Sequence, residues 1–440
     1  MNPIIIIERR TQRKHHLLHS SAVSILVILC LSLPSCQAQE DANPINEEIS
    51  NELIIDWNHL TYKLAYEHDQ FYSFIGVRTL SMVHLAMHDA LNAISPQFEQ
   101  YAYQGKNSGA NPIAAASQAA YEVLLNAYPE RKDTIQTVFE MWMMKVSESK
   151  AKEEGVVLGK STAQAIIEMR EGDGHLEQGG YTPMTKPGDY QYTPGWDEWV
   201  LKPDFDFARP FAMDTVTQFR SSKPPTLMSE DYSASFQEVK AYGRKNSKVR
   251  TTDETNYAHW WAEFAEHGWN RIGRITARQR ALPLLETARM FALINMDIYD
   301  IYLASLESKY YYDTWRPYTA IRNADVDENP ETIADPNWEP EMQTPPWPEY
   351  PSAHASVAAG SAEILTHVYG TPDIAFEMES TSALTDAKRR SYANLDSAAS
   401  DCADSRIMNG YHFRFATQEG SRQGREVARY ICSNFLGHIN

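Results

Sequence analysis

Two cations near residue 310 are spaced so that they could bind an anion together. Lys309 and Arg316 lie seven residues apart, nearly two turns of a helix, so both could project from one face. Pro317 disfavours helical backbone at Arg316 and would fix its guanidinium at a helix end. A solvated basic face is the alternative, but the neighbouring Tyr310 and Trp315 indicate a segment that is not freely exposed. The segment is therefore a candidate anion-binding element.

A serine and a histidine follow a proline at residues 351–354. Ser352 precedes a run of small residues, 355–362, and this pattern is typical of a helix start. The N-terminus of a helix offers free backbone N–H groups and the positive end of the helix dipole, which suit an oxyanion. Taken alone, the pattern favours a capped helix in which His354 is buried.

A third segment, residues 405–412, contains an arginine and a histidine. The spacing of six does not place Arg406 and His412 on one face of a regular helix. The dipeptide Asn409-Gly410 is a natural break, after which a new helix could begin near His412. In isolation, this segment is interpreted as a turn between helices.

Taken together, the three segments resemble the tripartite signature shared by vanadium-dependent haloperoxidases and type 2 phosphatidic acid phosphatases. That signature reads Lys-x6-Arg-Pro, Pro-Ser-Gly-His and Ser-Arg-x5-His, and the chain has all three in this order with one substitution. The flanking sequence at residues 77–94, 315–322 and 412–415 is also similar to that of bacterial haloperoxidases. The resemblance extends from about residue 52 to the C-terminus. Three spaced motifs are far less probable by chance than one.

The resemblance implies a vanadium-dependent haloperoxidase that oxidises a halide with hydrogen peroxide to hypohalous acid, with iodide or bromide favoured over chloride. It implies a vanadate cofactor held by five residues: Lys309, Arg316, Ser352, Ala353 through its backbone N–H, and Arg406. His412 would be the apical ligand of the vanadium. His354, on the opposite side, would be the acid–base group for the incoming peroxide. Whether an organic compound accepts the halogen is left open.

Four positions depart from the pattern of the related enzymes. Ala353 stands where glycine is usual; it keeps the N–H donor but tolerates a positive φ poorly. Ala416 stands where many phosphatases and some haloperoxidases have an aspartate, so the group that orients the far nitrogen of His412 is not identified. Leu306 and Trp347 occupy positions that are associated with halide preference, and they leave the preferred halide open.

Two other functions fit the same residues. Phosphate is isosteric with vanadate, so an acid phosphatase could use His412 as its nucleophile and His354 to protonate the leaving group. The missing aspartate at position 416 and the haloperoxidase-like N-terminal half count against this alternative. The third hypothesis is a surface-anchored protein that binds an oxyanion without turnover because Ala353 has impaired catalysis.

Helical periodicity dominates the chain around these motifs, beginning with apolar residues at helical spacing from residue 53 to 94. Further helices are predicted at residues 113–127, 132–147, 152–169, 253–267, 278–306, 356–369 and 417–435. No stretch alternates apolar and polar residues long enough for a sheet core. We therefore predict an all-α fold with one large helical-bundle catalytic domain over residues 51–440. The resemblance implies a bundle of the vanadium haloperoxidase and acid phosphatase type.

Two irregular stretches, residues 172–247 and 323–350, interrupt the helices. Both are rich in proline, and loops of this length in a compact domain are usually functional or disordered. Their aromatic residues favour ordered loops that could roof a cavity. His84 and His88, four apart on an apolar helix, could bind a metal but are more typical of core histidines. Asp297 and Asp300 could support the anion site or make structural hydrogen bonds.

The formal net charge of −18 argues against a nucleic-acid partner, because such a partner requires a basic face. An anion site in this chain must therefore be a local concentration of positive side chains. Only Cys402 and Cys432 of the four cysteines lie in the predicted catalytic domain, and one disulfide or two free thiols are equally open.

The first 36 residues have the pattern of a signal peptide, in which a basic stretch precedes an apolar run too short to span a bilayer. The run ends in Leu33-Pro34-Ser35-Cys36, which resembles a bacterial lipoprotein cleavage box and would place a lipid anchor on Cys36. Cleavage after Ala38 is the alternative. We expect an exported protein, periplasmic or attached to the outer membrane as a lipoprotein and otherwise secreted. Residues 37–50 are predicted to be an acidic tether.

Overall fold

The computed structural model describes residues 49–70, 74–177, 179–382 and 384–439. All of these residues lie in one unit of the chain, residues 43–440. The predicted signal peptide, its Cys36 and the tether up to residue 48 lie outside the described residues. Among the helices that are described, none is long and apolar enough to cross a membrane.

Thirteen α-helices lie in the described residues. The N-terminal part contains α1 (Glu52–Asp69), α2 (Ile75–Ile94), α3 (Pro112–Ala127), α4 (Lys132–Met143), α5 (Lys150–Met169), α6 (Glu230–Tyr242), α7 (Thr252–Trp260) and α8 (Ala265–Gln279). The C-terminal part contains α9 (Leu284–Tyr312), α10 (Pro317–Arg322), α11 (Ala353–Tyr369), α12 (Leu395–Met408) and α13 (Arg414–Asn434). Short 3-10 helices lie at Pro129–Arg131, Phe205–Phe207 and Ala324–Val326.

The longest helix, α9, forms the centre of the body and is buried along nearly its whole length. It packs against α2 on the N-terminal side and against α11 on the C-terminal side, and α11 packs in turn against α13. Two glycines permit the close contact between α11 and α13. A Cβ at Gly420 or Gly424 would overlap the backbone carbonyl of Ser352 or Ser356, respectively. The start of α11 is therefore fixed tightly against α13.

Most of the N-caps that are polar side chains satisfy a free N–H of the first turn. Asn111 and Ser149 accept hydrogen bonds from the third residue beyond them, and Thr251 forms a capping box with Glu254. The N-cap of α11 is different. Ser352 occupies that position but makes no side-chain capping bond, so its hydroxyl is left for another partner.

The all-α prediction is confirmed. The described strands are limited to one antiparallel pair, β1 (Phe376–Glu379) and β2 (Arg389–Tyr392), in which Phe376 lies opposite Tyr392. This pair carries no core of its own. It lies between α11 and α12 in the chain and contacts α8 and α12.

Several predicted boundaries are wrong. The helix predicted over residues 253–267 is divided into α7 and α8, because the backbone of Phe264 is extended (φ −60°, ψ 134°). The stretch 172–247, predicted to be irregular, contains α6, whose Tyr232, Phe236 and Val239 share one face in a second hydrophobic cluster. The sequence prediction missed α12 because its alanines, serines and aspartates have almost no amphipathic periodicity.

The two long loops pair with each other and with the segment that follows α9. The Tyr190 N–H donates to the Asp313 carbonyl (2.7 Å), and the Trp315 N–H donates to the Gly188 carbonyl (2.8 Å). The Leu201 N–H donates to the carbonyl of Pro346 (2.9 Å). In their described parts the loops are therefore ordered, as predicted, and they cover the end of α9.

Candidate oxyanion site

The C-terminal end of α9 positions the first motif. Asp313 adopts left-handed backbone (φ 49°, ψ 42°), and its N–H donates to the Lys309 carbonyl (2.8 Å), so the chain leaves the helix after Tyr312. Arg316 has extended backbone and is the N-cap of α10. The prediction that Lys309 and Arg316 share one helical face is therefore wrong. The prediction that Pro317 fixes Arg316 at a helix end is confirmed.

The Lys309 ammonium is buried and organises the loop that precedes α11. It donates to the carbonyls of Pro348, Glu349 and Pro351 at 3.0, 2.9 and 2.5 Å. An ammonium has three protons, and these carbonyls use all of them. Lys309 therefore brings its charge to the site, whereas a direct hydrogen bond to an anion would require the release of one carbonyl. Burial, and then the nearby Arg316, lower the pKa of Lys309 well below its ordinary value.

The Arg316 guanidinium connects the first motif to the third. Its Nε donates to the Trp347 carbonyl (2.8 Å), and its Nη1 donates to the Tyr411 carbonyl (2.9 Å) and to His412 Nε2 (3.1 Å). Its Nη2 is buried and has no hydrogen-bond partner in the described part of the chain. Burial lowers the pKa of Arg316 to about 10, so the group stays charged at neutral pH. One nitrogen of a firmly held cation is thus free for a ligand.

The N-terminus of α11 supplies the neutral donors. The Ser352 hydroxyl is buried and, among the described residues, has no hydrogen-bond partner. The Ser352 N–H donates to the Ala416 carbonyl on α13 (3.0 Å), which fixes the position of this helix end. Ala353 is the first residue of α11 and has helical backbone, so a side chain replaces the usual glycine without strain. Its N–H belongs to the first turn, where no intrahelical acceptor exists.

The third motif bends sharply after α12. Arg406 lies in the last turn of that helix, and its carbonyl accepts hydrogen bonds from the N–H groups of Tyr411 (3.0 Å) and His412 (3.3 Å). Gly410 permits the bend because its φ is 78°, which a side chain would strain. The break predicted at residues 409–410 is therefore confirmed, although α13 begins at Arg414. The Arg406 Nε and Nη2 are buried and find no partner in the residues described.

The two ring nitrogens of His412 have different partners, and these partners assign the tautomer. Nδ1 lies 2.9 Å from Glu349 Oε1, and Nε2 lies 3.1 Å from Arg316 Nη1. Because a guanidinium can only donate, Nε2 must be the unprotonated nitrogen and Nδ1 must carry the proton. Burial, followed by Arg316, Lys309 and Arg406, lowers the pKa of His412 well below its ordinary value. His412 is therefore neutral, with its lone pair on the side of the free cations.

Glu349 is the residue that the sequence prediction missed. Its carboxylate is fully buried, and Oε1 also accepts the Phe413 N–H (3.0 Å). Burial raises the pKa of Glu349 to about 7, and Lys309 and Arg316 oppose that rise. No spacing rule connects Glu349 with His412, which lies 63 residues later. Glu349 supplies the hydrogen-bond acceptor that Ala416, without a carboxylate, cannot provide.

His354 projects from the first turn of α11, and its partner assigns its tautomer as well. Its Nε2 lies 3.2 Å from the Glu263 carbonyl, which can only accept, so Nε2 carries the proton and Nδ1 is free. Burial, and next Arg406, lower the pKa of His354 well below its ordinary value, and the hydrogen bond to Glu263 opposes them. The Glu263 carboxylate binds Arg271 and Thr381. These contacts fix the loop that holds His354.

The two histidines considered above as a possible metal pair, His84 and His88, are both buried. His84 Nε2 accepts a hydrogen bond from Asn58 Nδ2 (2.9 Å), and His88 Nδ1 lies 3.3 Å from Asp89 Oδ1. In the described residues, no three histidine, cysteine, aspartate or glutamate side chains are grouped to hold a metal ion. Cys402 and Cys432 are free thiols.

The two aspartates of α9 differ in their surroundings. The Asp300 carboxylate accepts three backbone N–H groups from residues 211–213 and has a structural role. Both oxygens of Asp297 are buried without a partner in the described chain, and burial raises its pKa well above the ordinary value. Leu306 lines a cavity of about 280 Å³ together with Tyr310 and Arg220. Trp347 holds Arg316 through its carbonyl.

The free donors at this site are of the chemical type that binds an oxyanion. Arg316 Nη2, Arg406 Nε and Nη2, and the Ser352 hydroxyl are all buried and unpartnered in the described structure. Buried donors are normally hydrogen-bonded, and each one left without a partner costs about 1–3 kcal/mol. An anion whose oxygens accept from these donors removes that cost. The neutral imidazole of His412 adds a nitrogen lone pair, which is a typical ligand for a metal.

Comparisons with known proteins agree with this geometry. Residues 289–440, which contain all three motifs, match the family model described as the VCPO second helical-bundle domain. The structure superposes on a bacterial vanadium-dependent iodoperoxidase with a TM-score of 0.75 at 22% sequence identity, covering 89% of this chain and 98% of that one. The chain has the vanadium haloperoxidase fold. The resemblance predicted from the motifs is confirmed.

Two further relatives extend the comparison. A bacterial vanadium-dependent chloroperoxidase in its holo form superposes with a TM-score of 0.65 at 15% identity, covering 83% of this chain and 91% of that one. The vanadium chloroperoxidase of Curvularia inaequalis is 24% identical over 414 residues. That alignment covers 73% of this chain and 66% of the relative, slightly less than two thirds of its length. The relatives therefore include vanadium haloperoxidases that are named for different halides.

Proposed function

We propose that this protein is a vanadium-dependent haloperoxidase that uses hydrogen peroxide to oxidise a halide to hypohalous acid. The observation that carries the proposal is the group of buried donors without partners in the described chain: Arg316 Nη2, Arg406 Nε and Nη2, and the Ser352 hydroxyl. They come from all three motifs and lie beside a neutral histidine whose lone pair is free of a proton. A purely structural cluster of this kind would be strongly unfavourable.

In this proposal, Arg316, Arg406 and Ser352 donate to the oxygens of vanadate, and the N–H of Ala353 adds a backbone donor. Lys309 contributes its charge while it holds the loop of residues 348–351. His412 Nε2, which accepts from Arg316 Nη1 in the metal-free protein (3.1 Å), would be the nitrogen that binds the metal once Arg316 Nη1 releases it. When bound, vanadate supplies a Lewis-acidic centre that activates hydrogen peroxide toward the halide.

His354 is proposed to move the proton. Its Nε2 donates to the Glu263 carbonyl, so Nδ1 is available as a base. Nδ1 would accept a proton from hydrogen peroxide and later return it to the oxygen that leaves. In the anion-free protein, burial and then the surrounding cations lower the pKa of His354 and keep it neutral. A bound anion offsets those cations, so anion binding favours uptake of a proton by His354.

Replacing His354 tests that assignment. We expect His354→Ala to retain vanadate, since the proposed anion donors remain, and to slow halide oxidation roughly 10²–10⁴-fold, the usual contribution of a positioned acid–base group. Steady-state kinetics and a vanadium content assay on the same sample separate the two effects. Full turnover in His354→Ala would remove the residue from the acid–base role.

The halide is proposed to be iodide or bromide, with an organic acceptor of the halogen left open. Support comes from the bacterial iodoperoxidase, whose whole length is nearly covered by this chain. Leu306 and Trp347 are the positions associated with halide preference. Leu306 lines a cavity beside Tyr310, and the carbonyl of Trp347 accepts a hydrogen bond from Arg316. Competition between iodide, bromide and chloride at equal concentration would determine the preference.

The experiment that tests the function is halide oxidation by the purified, metal-stripped protein with hydrogen peroxide, with and without added orthovanadate. We expect oxidation of iodide or bromide that depends on vanadate and is lost in His412→Ala. An aryl phosphate is supplied to a parallel sample, because the same donors and the same His412 lone pair suit phosphate transfer. Phosphate release that vanadate inhibits, without halide oxidation, would contradict the haloperoxidase proposal and favour an acid phosphatase. Vanadate binding without either activity would indicate an oxyanion-binding protein.

We also propose that the protein is exported and carries a lipid on Cys36. Replacing Cys36 with serine should abolish lipid labelling in the native bacterium and release the protein from the membrane fraction. Mass spectrometry of the mature N-terminus provides the measurement. An unmodified N-terminus beginning after Ala38 would contradict lipidation and favour ordinary secretion.

A further inference from the structure

Glu349 is held by hydrogen bonds through its backbone N–H, its carbonyl and its carboxylate. Its N–H donates to the Thr314 carbonyl (2.9 Å), and its own carbonyl accepts from Lys309 Nζ (2.9 Å). Its carboxylate oxygen Oε1 accepts from His412 Nδ1 (2.9 Å) and from the Phe413 N–H (3.0 Å). One residue therefore ties the first motif to the third.

The carboxylate is also placed to control the chemistry of the imidazole. It accepts from Nδ1, while Arg316 donates to Nε2 (3.1 Å). Both contacts favour the same tautomer, in which Nδ1 is protonated and Nε2 carries the lone pair. A carboxylate that accepts the distal N–H of a metal-binding histidine orients the ring and increases the basicity of the other nitrogen.

Nothing else in the described surroundings of His412 Nδ1 performs this task. Ala416 has no side-chain acceptor, and its carbonyl is already used by the Ser352 N–H (3.0 Å). The charged and titratable groups that shift the pKa of His412, namely Arg316, Lys309, Arg406 and His354, all lower it, and none of them is a carboxylate. Loss of the Glu349 carboxylate would leave Nδ1 without an acceptor in a buried site.

We infer that Glu349 is a positioning residue that holds His412 in the Nδ1–H tautomer and directs Nε2 toward the oxyanion. The inference rests on the proposed function, in which Nε2 binds vanadium. Glu349 acts through His412 and does not itself contact the anion. Glu349 should therefore determine which nitrogen of His412 is protonated in the metal-free protein. It should also increase the affinity of the protein for vanadate.

The tautomer is measured first, in purified protein labelled with ¹⁵N-histidine and free of metal. The His412 ring signals are assigned by their loss in His412→Gln. We expect wild-type Nε2 to have the shift of an unprotonated nitrogen, and Nδ1 that of a protonated one. This measurement needs no Glu349 variant, so it stands even if a variant fails to fold. A wild-type His412 protonated on Nε2 would overturn the inference.

Two substitutions of Glu349 distinguish the effect of its hydrogen-bond acceptor from the effect of its packing. Glu349→Leu removes the acceptor, whereas Glu349→Gln keeps an oxygen that can accept from Nδ1 and from the Phe413 N–H. We expect Glu349→Leu to lose the fixed tautomer and to bind orthovanadate roughly 10–100-fold more weakly, as measured by titration calorimetry. Glu349→Gln should retain the tautomer and lose less than about tenfold of the affinity, given that the hydrogen bonds remain.

Glu341 provides the matched control. It lies on the same loop, and its Oε1 contacts His259 Nε2 at 3.0 Å without touching any of the three motifs. Glu341→Leu should leave both the His412 tautomer and the vanadate affinity unchanged. Equal affinity in Glu349→Leu and wild type would overturn the inference, as would an equal loss in the Glu341 control. Absence of vanadate binding in the wild type would instead contradict the proposed function. The tautomer measurement would still test whether Glu349 positions His412.

Discussion

The polar cluster around Asn58 and the polar cluster around Arg406 are both buried and both contain arginine, but they satisfy their hydrogen bonds in different ways. In the first cluster, Asn58 Nδ2 donates to His84 Nε2 (2.9 Å) and to Asn270 Oδ1 (2.8 Å), and Asn58 Oδ1 accepts from Arg274 Nη1 (2.5 Å). The network continues from Asn270 to Asn295 (2.9 Å). Protein groups supply hydrogen-bond partners for its asparagines and for Arg274 Nη1, although His84 Nδ1 is buried without one among the described residues.

The cluster around Arg406 lacks such partners. Its Nε and Nη2, like the Ser352 hydroxyl and Arg316 Nη2, are buried with no acceptor among the described residues. A network closed by protein groups stabilises one packing of the helices, whereas open donors destabilise the fold until a ligand accepts from them. The two clusters therefore differ in their arginines: Arg274 donates to a protein acceptor, whereas Arg406 Nε and Nη2 and Arg316 Nη2 are left open in the described chain.

The largest effect is expected from removing Arg406, the cation whose Nε and Nη2 have no protein partner in the described chain. Arg406→Met keeps an unbranched stem and a similar helix propensity but deletes two free donor atoms, Nε and Nη2. We expect vanadate affinity to fall roughly 10²–10⁴-fold, because two hydrogen bonds to a charged ligand contribute about 1.5–3 kcal/mol each. We also expect the metal-free variant to be at least as stable as the wild type. Titration calorimetry and thermal unfolding on the same preparation check both.

The control for that variant is Arg425→Met on α13, where the guanidinium pairs with Glu363 (3.2 Å) and Asp396 (2.7 Å). This substitution also removes one positive charge, but its donors have partners in the protein. Vanadate affinity should be unchanged. An equal loss of affinity in Arg425→Met would mean that net charge, and not the open donors, determines binding.

The converse substitution removes a member of the closed network. Asn58→Leu keeps the number and branching of the side-chain heavy atoms but leaves Arg274 Nη1 and His84 Nε2 without their partner, whereas Asn270 keeps Asn295. We expect the free energy of unfolding to fall by roughly 2–6 kcal/mol, at about 1–3 kcal/mol for each of the two groups left without a partner. Chemical denaturation measures it. Vanadate affinity of the folded fraction should stay within about threefold of wild type, and a large loss would show that the two clusters are coupled.

Sequence reasoning predicted the fold class and the motif residues because both are local patterns. Helical periodicity is visible in any window of the chain, and Pro317 correctly placed Arg316 at a helix end. The shared helical face of Lys309 and Arg316 was wrong because Asp313 ends α9 in left-handed backbone. That conformation depends on the loops that cover the helix end, and those contacts are not local.

The partners of the two histidines could not be predicted for a related reason. Glu349 reaches His412 across 63 residues, and Glu263 holds His354 through a backbone carbonyl that carries no sequence signal. The break at residues 261–264 that places this carbonyl falls inside a stretch predicted to be one helix. Long-range hydrogen bonds of this kind follow from tertiary packing and not from propensity.

A smaller change tests a single neutral donor. Ser352→Ala removes a hydroxyl that caps nothing and has no partner in the described chain. We expect thermal stability to be unchanged and vanadate affinity to fall at least about tenfold, since a hydrogen bond to a charged group contributes about 1.5 kcal/mol or more. A loss of stability with unchanged vanadate affinity would instead show that the Ser352 hydroxyl stabilises the fold and does not bind the anion.

A further expected effect concerns pH and the Asn58 cluster. Burial, and then Arg274, lower the pKa of His84 to about 3, below its ordinary value. The unfolded chain therefore binds a proton on His84 below about pH 6.5, whereas the folded protein does not, so this contribution to stability is lost as pH falls. Between pH 7 and pH 5 it amounts to about 2 kcal/mol.

The variant His84→Gln keeps an acceptor for Asn58 and removes the titration. The decrease in unfolding free energy from pH 7 to pH 5 should be smaller in this variant than in the wild type by that amount. Denaturant titrations at the two pH values measure the difference, and other titrating groups cancel in it. Identical pH dependence in the two proteins would contradict a neutral, buried His84.

The central claim is that the three motifs form one oxyanion site, and a crystal structure of the protein grown with orthovanadate tests it most directly. We expect anomalous density for one vanadium within bonding distance of His412 Nε2. Its oxygens should accept hydrogen bonds from Arg316 Nη2, Arg406 and the Ser352 hydroxyl. Vanadate bound elsewhere on the molecule, with those donors still unpartnered, would contradict the account.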